Sequence, residues 1–90
     1  MIVRVIYTSE RFKKEFQKLP EKIQKLAQKQ EALFRMNPLH RSLRLHQLHG
    51  KLDGFCSMTV ATNYRILFIR QENGDILFFS IGTHDIYRSL

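Results

Sequence analysis

The pair Asn73-Gly74 constrains this chain more than any other feature. It separates two apolar runs, YRILFIR at residues 64–70 and ILFFSIG at residues 76–82. Asn-Gly readily supplies the positive φ angles of a tight hairpin turn, so the two runs are predicted as antiparallel neighbours. The stretch FCSMTVAT, residues 55–62, has the same β-branched character, and Thr62-Asn63 allows a second tight reversal. Together they predict a three-stranded antiparallel meander. Alternation along YRILFIR puts Arg65, Leu67 and Ile69 on one face and Tyr64, Ile66, Phe68 and Arg70 on the other.

The first half has a different period. IVRVIYT, residues 2–8, is rich in β-branched residues and is predicted as one strand. Ser9 is suited to cap a helix whose apolar residues Phe12, Phe16 and Leu19 fall at helical spacing until Pro20 interrupts. Pro20 then suits the start of a second helix, in which Ile23, Leu26, Ala27, Leu33 and Phe34 share a face and Lys22, Lys25, Lys29 and Arg35 occupy others. Asn37-Pro38 stops it. Residues 39–53, LHRSLRLHQLHGKLD, have no convincing period and are expected to form an irregular or partly extended connection. An N-terminal strand, a two-helix hairpin and a meander make an α+β fold with the helices packed on one sheet. Ninety residues suffice for one such domain, 1–90.

Charge narrows the partners. Fifteen Lys and Arg face eight Asp and Glu, a net charge of +7, and residues 1–50 hold eleven basic and four acidic side chains while residues 51–90 hold four of each. The whole surplus therefore lies in the first half, a field that attracts polyanions, phosphate backbones above all. A single cysteine, Cys56, forms no internal disulfide, and no apolar run is long enough for a membrane span or signal peptide. A reducing cytoplasm is the expected compartment.

The residues with chemical potential lie late in the chain. Arg65 opens an apolar strand, and its planar fork suits either an acid at the sheet edge or a phosphate in a cleft. His40, His46 and His49 gather in the connector with Arg44 and Lys51. An extended segment sends His46 and His49 to opposite sides and no fourth ligand is near, so no metal site is expected, and no cofactor. Imidazole is, however, suited to giving and taking a proton. His84, Tyr87 and Arg88 follow the last strand, where Gly82 permits a bend that swings them over a sheet face. No nucleophilic serine motif, phosphate-cradling glycine loop or carboxylate pair is present.

The block LHQLHGKLDGFCSMTVATNYRILFIRQENGDILFFSIGTHDIYR, with the opening strand and the basic helical hairpin before it, resembles the RelE/ParE superfamily of toxins from type II toxin–antitoxin systems. The resemblance covers essentially the whole chain and rests on the L-x-G-x-x-x-G turn, the YRILF strand and the terminal GTHDIY. It implies a microbial-ribonuclease-like fold and a cognate antitoxin that wraps the toxin. Two targets are implied by different members: RelE- and YafQ-like toxins enter the ribosomal A site and cut mRNA, whereas ParE-like toxins act on DNA gyrase without nuclease activity.

The pattern is nearest the RelE/YafQ-like mRNA interferases. The resemblance puts His84 and Tyr87 where YafQ-like nucleases keep a catalytic histidine and a C-terminal aromatic, His46 at a histidine ahead of the glycine turn, and Arg65 near a phosphate-binding arginine. Thr59 stands where a further histidine is expected and Asn63 where an aspartate is. The expected activity is a ribosome-dependent, metal-free endoribonuclease that inhibits translation. Arg65 takes the phosphate, His84 the leaving-group proton and His46 the 2′-hydroxyl proton, while Tyr87 stacks on or orients a base. Lys51 adds electrostatic support, and Arg44 with Lys22, Lys25 and Lys29 binds RNA. The free toxin is expected to be a monomer.

Overall fold

In the computed structural model, which describes residues 2–88, Ser9 starts helix α1 (Glu10–Gln17) as its chemistry predicts. Its Oγ accepts from the Phe12 N–H at 3.0 Å and donates to the Phe79 carbonyl at 2.7 Å, so one hydroxyl caps the helix and ties it to the sheet. Pro20 disfavours helical backbone at Leu19 and, with ψ at 145°, stands just ahead of the second helix as its N-cap rather than as the first helical residue the sequence suggested. The chain accordingly breaks between α1 and helix α2 (Glu21–Met36).

Five strands form one mixed sheet: β1 (Ile6–Thr8), β2 (His46–Gln47), β3 (Phe55–Ala61), β4 (Tyr64–Arg70) and β5 (Ile76–Gly82), in the order β1-β5-β4-β3-β2. β1 runs parallel to β5 and all other neighbours are antiparallel. The α+β arrangement and the β3–β4–β5 meander are those expected from the sequence. The turn has Gly74 at a positive φ of +91°, whereas Asn73 is not at a positive φ, and the Gly74 N–H closes it on the Gln71 carbonyl at 3.0 Å.

One strand boundary needs correction. The ladder of the first strand covers Ile6–Thr8, not residues 2–8, because its partner β5 begins only at Ile76, opposite Ile6. Residues 2–5 run beside the β4–β5 turn, held by the Arg4 N–H to the Gly74 carbonyl at 3.1 Å, with Ile2 exposed. The connector is partly extended as expected, with a two-residue strand, β2, between 3₁₀ turns at Arg41–Leu43 and Gly50–Leu52. Such short elements carry too few residues to show a period.

The core lies between the helices and one sheet face. Phe34, Phe68 and Phe78, all essentially inaccessible, bring their ring centroids within 5.2–6.4 Å of one another and join Phe12, Met58, Val60 and Ile66. Truncating one such phenylalanine costs about 3–5 kcal/mol, a large part of the roughly 5–15 kcal/mol available to a domain. Leu67, between Ile66 and Phe68, is also fully buried but points to the opposite face by strand alternation, and so does Arg65.

β1 ends at Thr8, which leaves the rest of the β5 edge without a strand partner. Side chains from the α1 region fill the gap. Ser9 takes the Phe79 carbonyl, and the Glu15 carboxylate accepts from the Ser80 hydroxyl at 2.8 Å and the Ile81 N–H at 3.1 Å. This clamp fixes the last residues of β5, from which the segment carrying His84 and Tyr87 departs.

Candidate functional site

The GTHDIYR segment is shaped by two features. The chain folds back over the sheet face after Gly82 as expected, but Gly82 is not at a positive φ; its role is close approach. A Cβ at this position would meet Ile86 Cγ2 at 2.6 Å. The missing side chain lets a 3₁₀ turn, His84–Tyr87, fold back on the strand with Ile86 buried beneath it. A 3₁₀ turn has three residues per turn, so positions three apart eclipse. His84 and Tyr87 are therefore stacked on one side, with ring centroids 5.5 Å apart in an edge-on arrangement.

β2 brings His46 to the same place from the far edge of the sheet. His46 pairs with Ser57 on β3, and two residues along the same face Thr59 pairs with Arg65 on β4, which pairs with Gly82 on β5. The register thus lays His46, Ser57, Thr59 and Arg65 on the face away from the main core. The turns at Gly50–Leu52 and His84–Tyr87 wall that face. The result is an open cleft of about 400 Å³, lined by Arg44, His46, Ser57, Thr59, Arg65, His84 and Tyr87, with Leu48 and Leu52 as its apolar part.

Arg65 is held from one end. Its Nη1 donates to the carbonyls of Ala61 at 2.9 Å, Tyr64 at 3.0 Å and Thr62 at 3.2 Å, the acceptors of the β3–β4 turn. Nε and Nη2 have no hydrogen-bond partner among the described residues. The guanidinium is thereby oriented by neutral dipoles without a carboxylate to neutralise it, and an edge remains for an anion. Among the described residues no Asp or Glu lines the cleft. Four acids on the helices are instead engaged locally: Glu10 with Lys13, Glu15 with Arg11, Glu21 with Lys25 and Glu31 with Arg35.

The sequence candidates thus separate. His46, Arg65, His84, Tyr87 and Arg44 share the cleft. Lys51 is exposed on the turn that walls it but does not line it. Lys29 lines an adjoining groove, whereas Lys22 and Lys25 lie exposed on α2 outside both, with Lys25 paired to Glu21 at 3.4 Å. His40 and His49 lie outside the cleft: His40 Nδ1 accepts from the Ser42 N–H at 3.2 Å, and His49 precedes the Gly50–Leu52 turn. Among the described residues no three His, Cys, Asp or Glu side chains gather as metal ligands. Cys56 is half-buried, and desolvation pushes its thiol pKa up against a smaller lowering by Arg70.

One residue was missed. Gln30 is a polar side chain only 8% exposed, whose Nε2 donates to the Thr59 carbonyl at 3.0 Å and the Ser42 carbonyl at 3.4 Å. It locks α2 to β3 and to the connector, where the register shift between Thr59 and Ala61 interrupts the ladder. Its spacing from Ala27 and Phe34 placed it on the buried stripe of α2, which was the available signal.

The same architecture occurs in known toxins. The structure matches YafQ from E. coli strain BL21(DE3) with a TM-score of 0.77 at 18% identity, covering 93% of this chain and 97% of that one. It matches the toxin of the E. coli DinJ-YafQ toxin-antitoxin complex at 0.75 and 19% identity, over 94% and 97% of the two chains. The archaeal RelE-RelB complex from Pyrococcus horikoshii OT3 follows at 0.71 and 16%, over 92% and 96%. At these identities the likeness establishes the fold. No curated protein matches the sequence at a significant level. The model of the bacterial toxin YafQ of type II toxin-antitoxin systems does match, over residues 4–88. Nearly the whole chain is covered by that match, and the protein belongs to the YafQ family of type II toxin–antitoxin toxins.

Proposed function

We propose that this toxin is a ribosome-dependent endoribonuclease that cuts mRNA in the A site by a metal-free transfer to the 2′-oxygen. The observation that carries the reading is the convergence of two imidazoles, His46 and His84, and one guanidinium, Arg65, on a single cleft that no Asp or Glu lines among the described residues. RNA strand scission needs a base, an acid and a cation for the charge that grows on phosphorus, and these three side chains supply them.

In this mechanism His46 removes the 2′-hydroxyl proton, the 2′-oxygen attacks phosphorus and the bond to the 5′-oxygen breaks. His84 protonates the departing 5′-oxygen. The products are a 2′,3′-cyclic phosphate and a 5′-hydroxyl. Arg65 binds the non-bridging oxygens through Nε and Nη2, Tyr87 stacks on a base beside His84, and Lys51 contributes its charge from the rim. Arg44 and the lysines of α2, Lys22, Lys25 and Lys29, hold flanking mRNA and ribosomal RNA. The site of action is the cytoplasm, with no membrane involved; no helix among the described residues is long and apolar enough to cross one.

A cognate antitoxin is the second partner. The structural relatives include the E. coli DinJ-YafQ complex and the archaeal RelE-RelB complex, and by that likeness an antitoxin binds this chain, a monomer when free, in a heteromeric complex. Primer extension on translated mRNA tests the catalytic reading: discrete cuts with the wild-type toxin, reduced about 10²–10⁴-fold by His46→Ala or His84→Ala, are expected. Absence of cuts together with inhibition of gyrase supercoiling would replace it with a gyrase-poison reading.

A further inference from the structure

A second groove, of about 550 Å³, adjoins the cleft and shares Arg44, Thr59 and Arg65 with it. It runs from the β3–β4 turn to α2, where Lys29 and Gln30 line it. Its volume falls in the range of small-molecule sites. Like the cleft, it has no Asp or Glu in its lining among the described residues.

Three details distinguish it from an incidental surface depression. Arg44 sits at φ +47°, the one non-glycine residue among those described with a positive φ, a conformation that glycine would adopt more easily. Its side chain is exposed and has no hydrogen-bond or ion-pair partner among the described residues. Lys29 is likewise without an ion pair there, because no acid lies three or four positions from it, in contrast to Lys25 and Arg35 on the same helix. Gln30 supplies the third. Its amide nitrogen is committed to the Thr59 and Ser42 carbonyls, which fixes the amide plane, and its Oε1 has no donor. No fully buried side-chain polar atom lacks a partner among the described residues, so the small exposure of Gln30 includes this oxygen.

We infer that this groove is a second nucleotide subsite, in which Arg44 and Lys29 hold the phosphates flanking the scissile linkage and Gln30 Oε1 accepts an N–H from the neighbouring base. The inference rests on the RNA-cleaving reading and adds a specificity determinant to it. Beside the Gln30 amide lie the Ser42 and Thr59 carbonyls that its own nitrogen engages, and the same groove holds those of Ala61 and Thr62 under Arg65, while its cations are taken by phosphate. A base with an exocyclic amino group, adenine, cytosine or guanine, presents donors to such a surround. Uracil presents one N–H flanked by two carbonyl oxygens and is disfavoured.

Arg44→Gly and Gln30→Met test this in a translation extract supplied with a reporter mRNA, with cut positions and rates read by primer extension and folding checked by circular dichroism. Arg44→Gly removes the guanidinium and relieves the backbone, so it should fold as well as the wild type and cut about tenfold more slowly at every site. Gln30→Met should raise cutting beside uracil several-fold relative to other sites. If the wild type cuts and folded Arg44→Gly matches its rate, the subsite is wrong. An unchanged flanking-base distribution in folded Gln30→Met overturns it as well, and if that variant does not fold, Arg44→Gly alone decides. Absence of cuts by the wild type removes the RNA-cleaving reading itself, an outcome distinct from loss of the subsite alone.

Discussion

Gly82→Ala perturbs the site without touching any side chain in the cleft. The new methyl carbon would lie 2.6 Å from Ile86 Cγ2, against about 3.5–4.0 Å for carbon atoms at optimal separation. Relief requires the His84–Tyr87 turn to move by about 1 Å, because the strand beneath it is fixed by β4 and by Glu15. Overpacking of this kind costs about 1–3 kcal/mol. At about 4–8 °C per kcal/mol for a domain of this size, melting falls by roughly 4–24 °C. On the proposed mechanism a displacement of about 1 Å at His84 should lower the cleavage rate on the order of 10²-fold. Thermal melting and primer extension measure the two effects separately. Ile86→Ala removes the clashing methyl at the expense of a cavity, so Gly82→Ala combined with Ile86→Ala should be less harmful than the sum of the two changes, by about 0.5–3 kcal/mol. A Gly82→Ala protein with wild-type melting and wild-type cleavage would refute the idea that close approach at this glycine sets the position of His84.

Other expectations follow from single contacts. Arg65→Lys keeps the charge but loses the fork that the β3–β4 carbonyls orient, so cleavage should fall nearly as far as in Arg65→Ala while overall charge-driven RNA binding is retained; equal activity of Arg65→Lys and wild type would contradict this. Glu15→Ala strips the acceptor from the buried Ser80 hydroxyl and the Ile81 N–H and should cost about 1–3 kcal/mol for each group left unsatisfied, read by urea denaturation, whereas Glu15→Gln keeps an acceptor oxygen and should cost less. Cys56 has its thiol pKa raised by desolvation above that of the unfolded chain, so its contribution to stability is complete at neutral pH and is lost as pH climbs through the folded-state value. Alkylation by iodoacetamide at neutral pH should accordingly be slow in the folded protein and fast in urea. If the cations of the cleft and of α2 bind phosphate as proposed, RNA association should weaken steeply with added salt.

The sequence was most legible where a residue type has one local solution. Asn73-Gly74 determined a hairpin because positive φ is required at Gly74, and Ser9 and Pro20 determined helix ends because capping and the missing N–H leave few alternatives. Arg65 and Leu67 followed from strand alternation. The two-residue β2 was illegible because it has no period, yet it is what carries His46 to the cleft. Gly82 was read as a source of backbone freedom, but its function depends on the buried Ile86 four residues later, a contact visible only in three dimensions. Gln30 lay on the correct helical stripe and was passed over because glutamine is ordinarily exposed. Its burial follows from two carbonyls contributed by distant segments.

The strand-scission chemistry itself is tested most directly with an mRNA carrying a single 2′-deoxy nucleotide at a mapped cut site, presented on the ribosome with the wild-type toxin. If the 2′-oxygen is the nucleophile, that position becomes resistant while neighbouring sites are still cut, and unmodified mRNA yields fragments ending in a 2′,3′-cyclic phosphate and beginning with a 5′-hydroxyl. Scission at the deoxy position, or fragments carrying a 5′-phosphate and a 3′-hydroxyl, would contradict the roles given to His46 and His84.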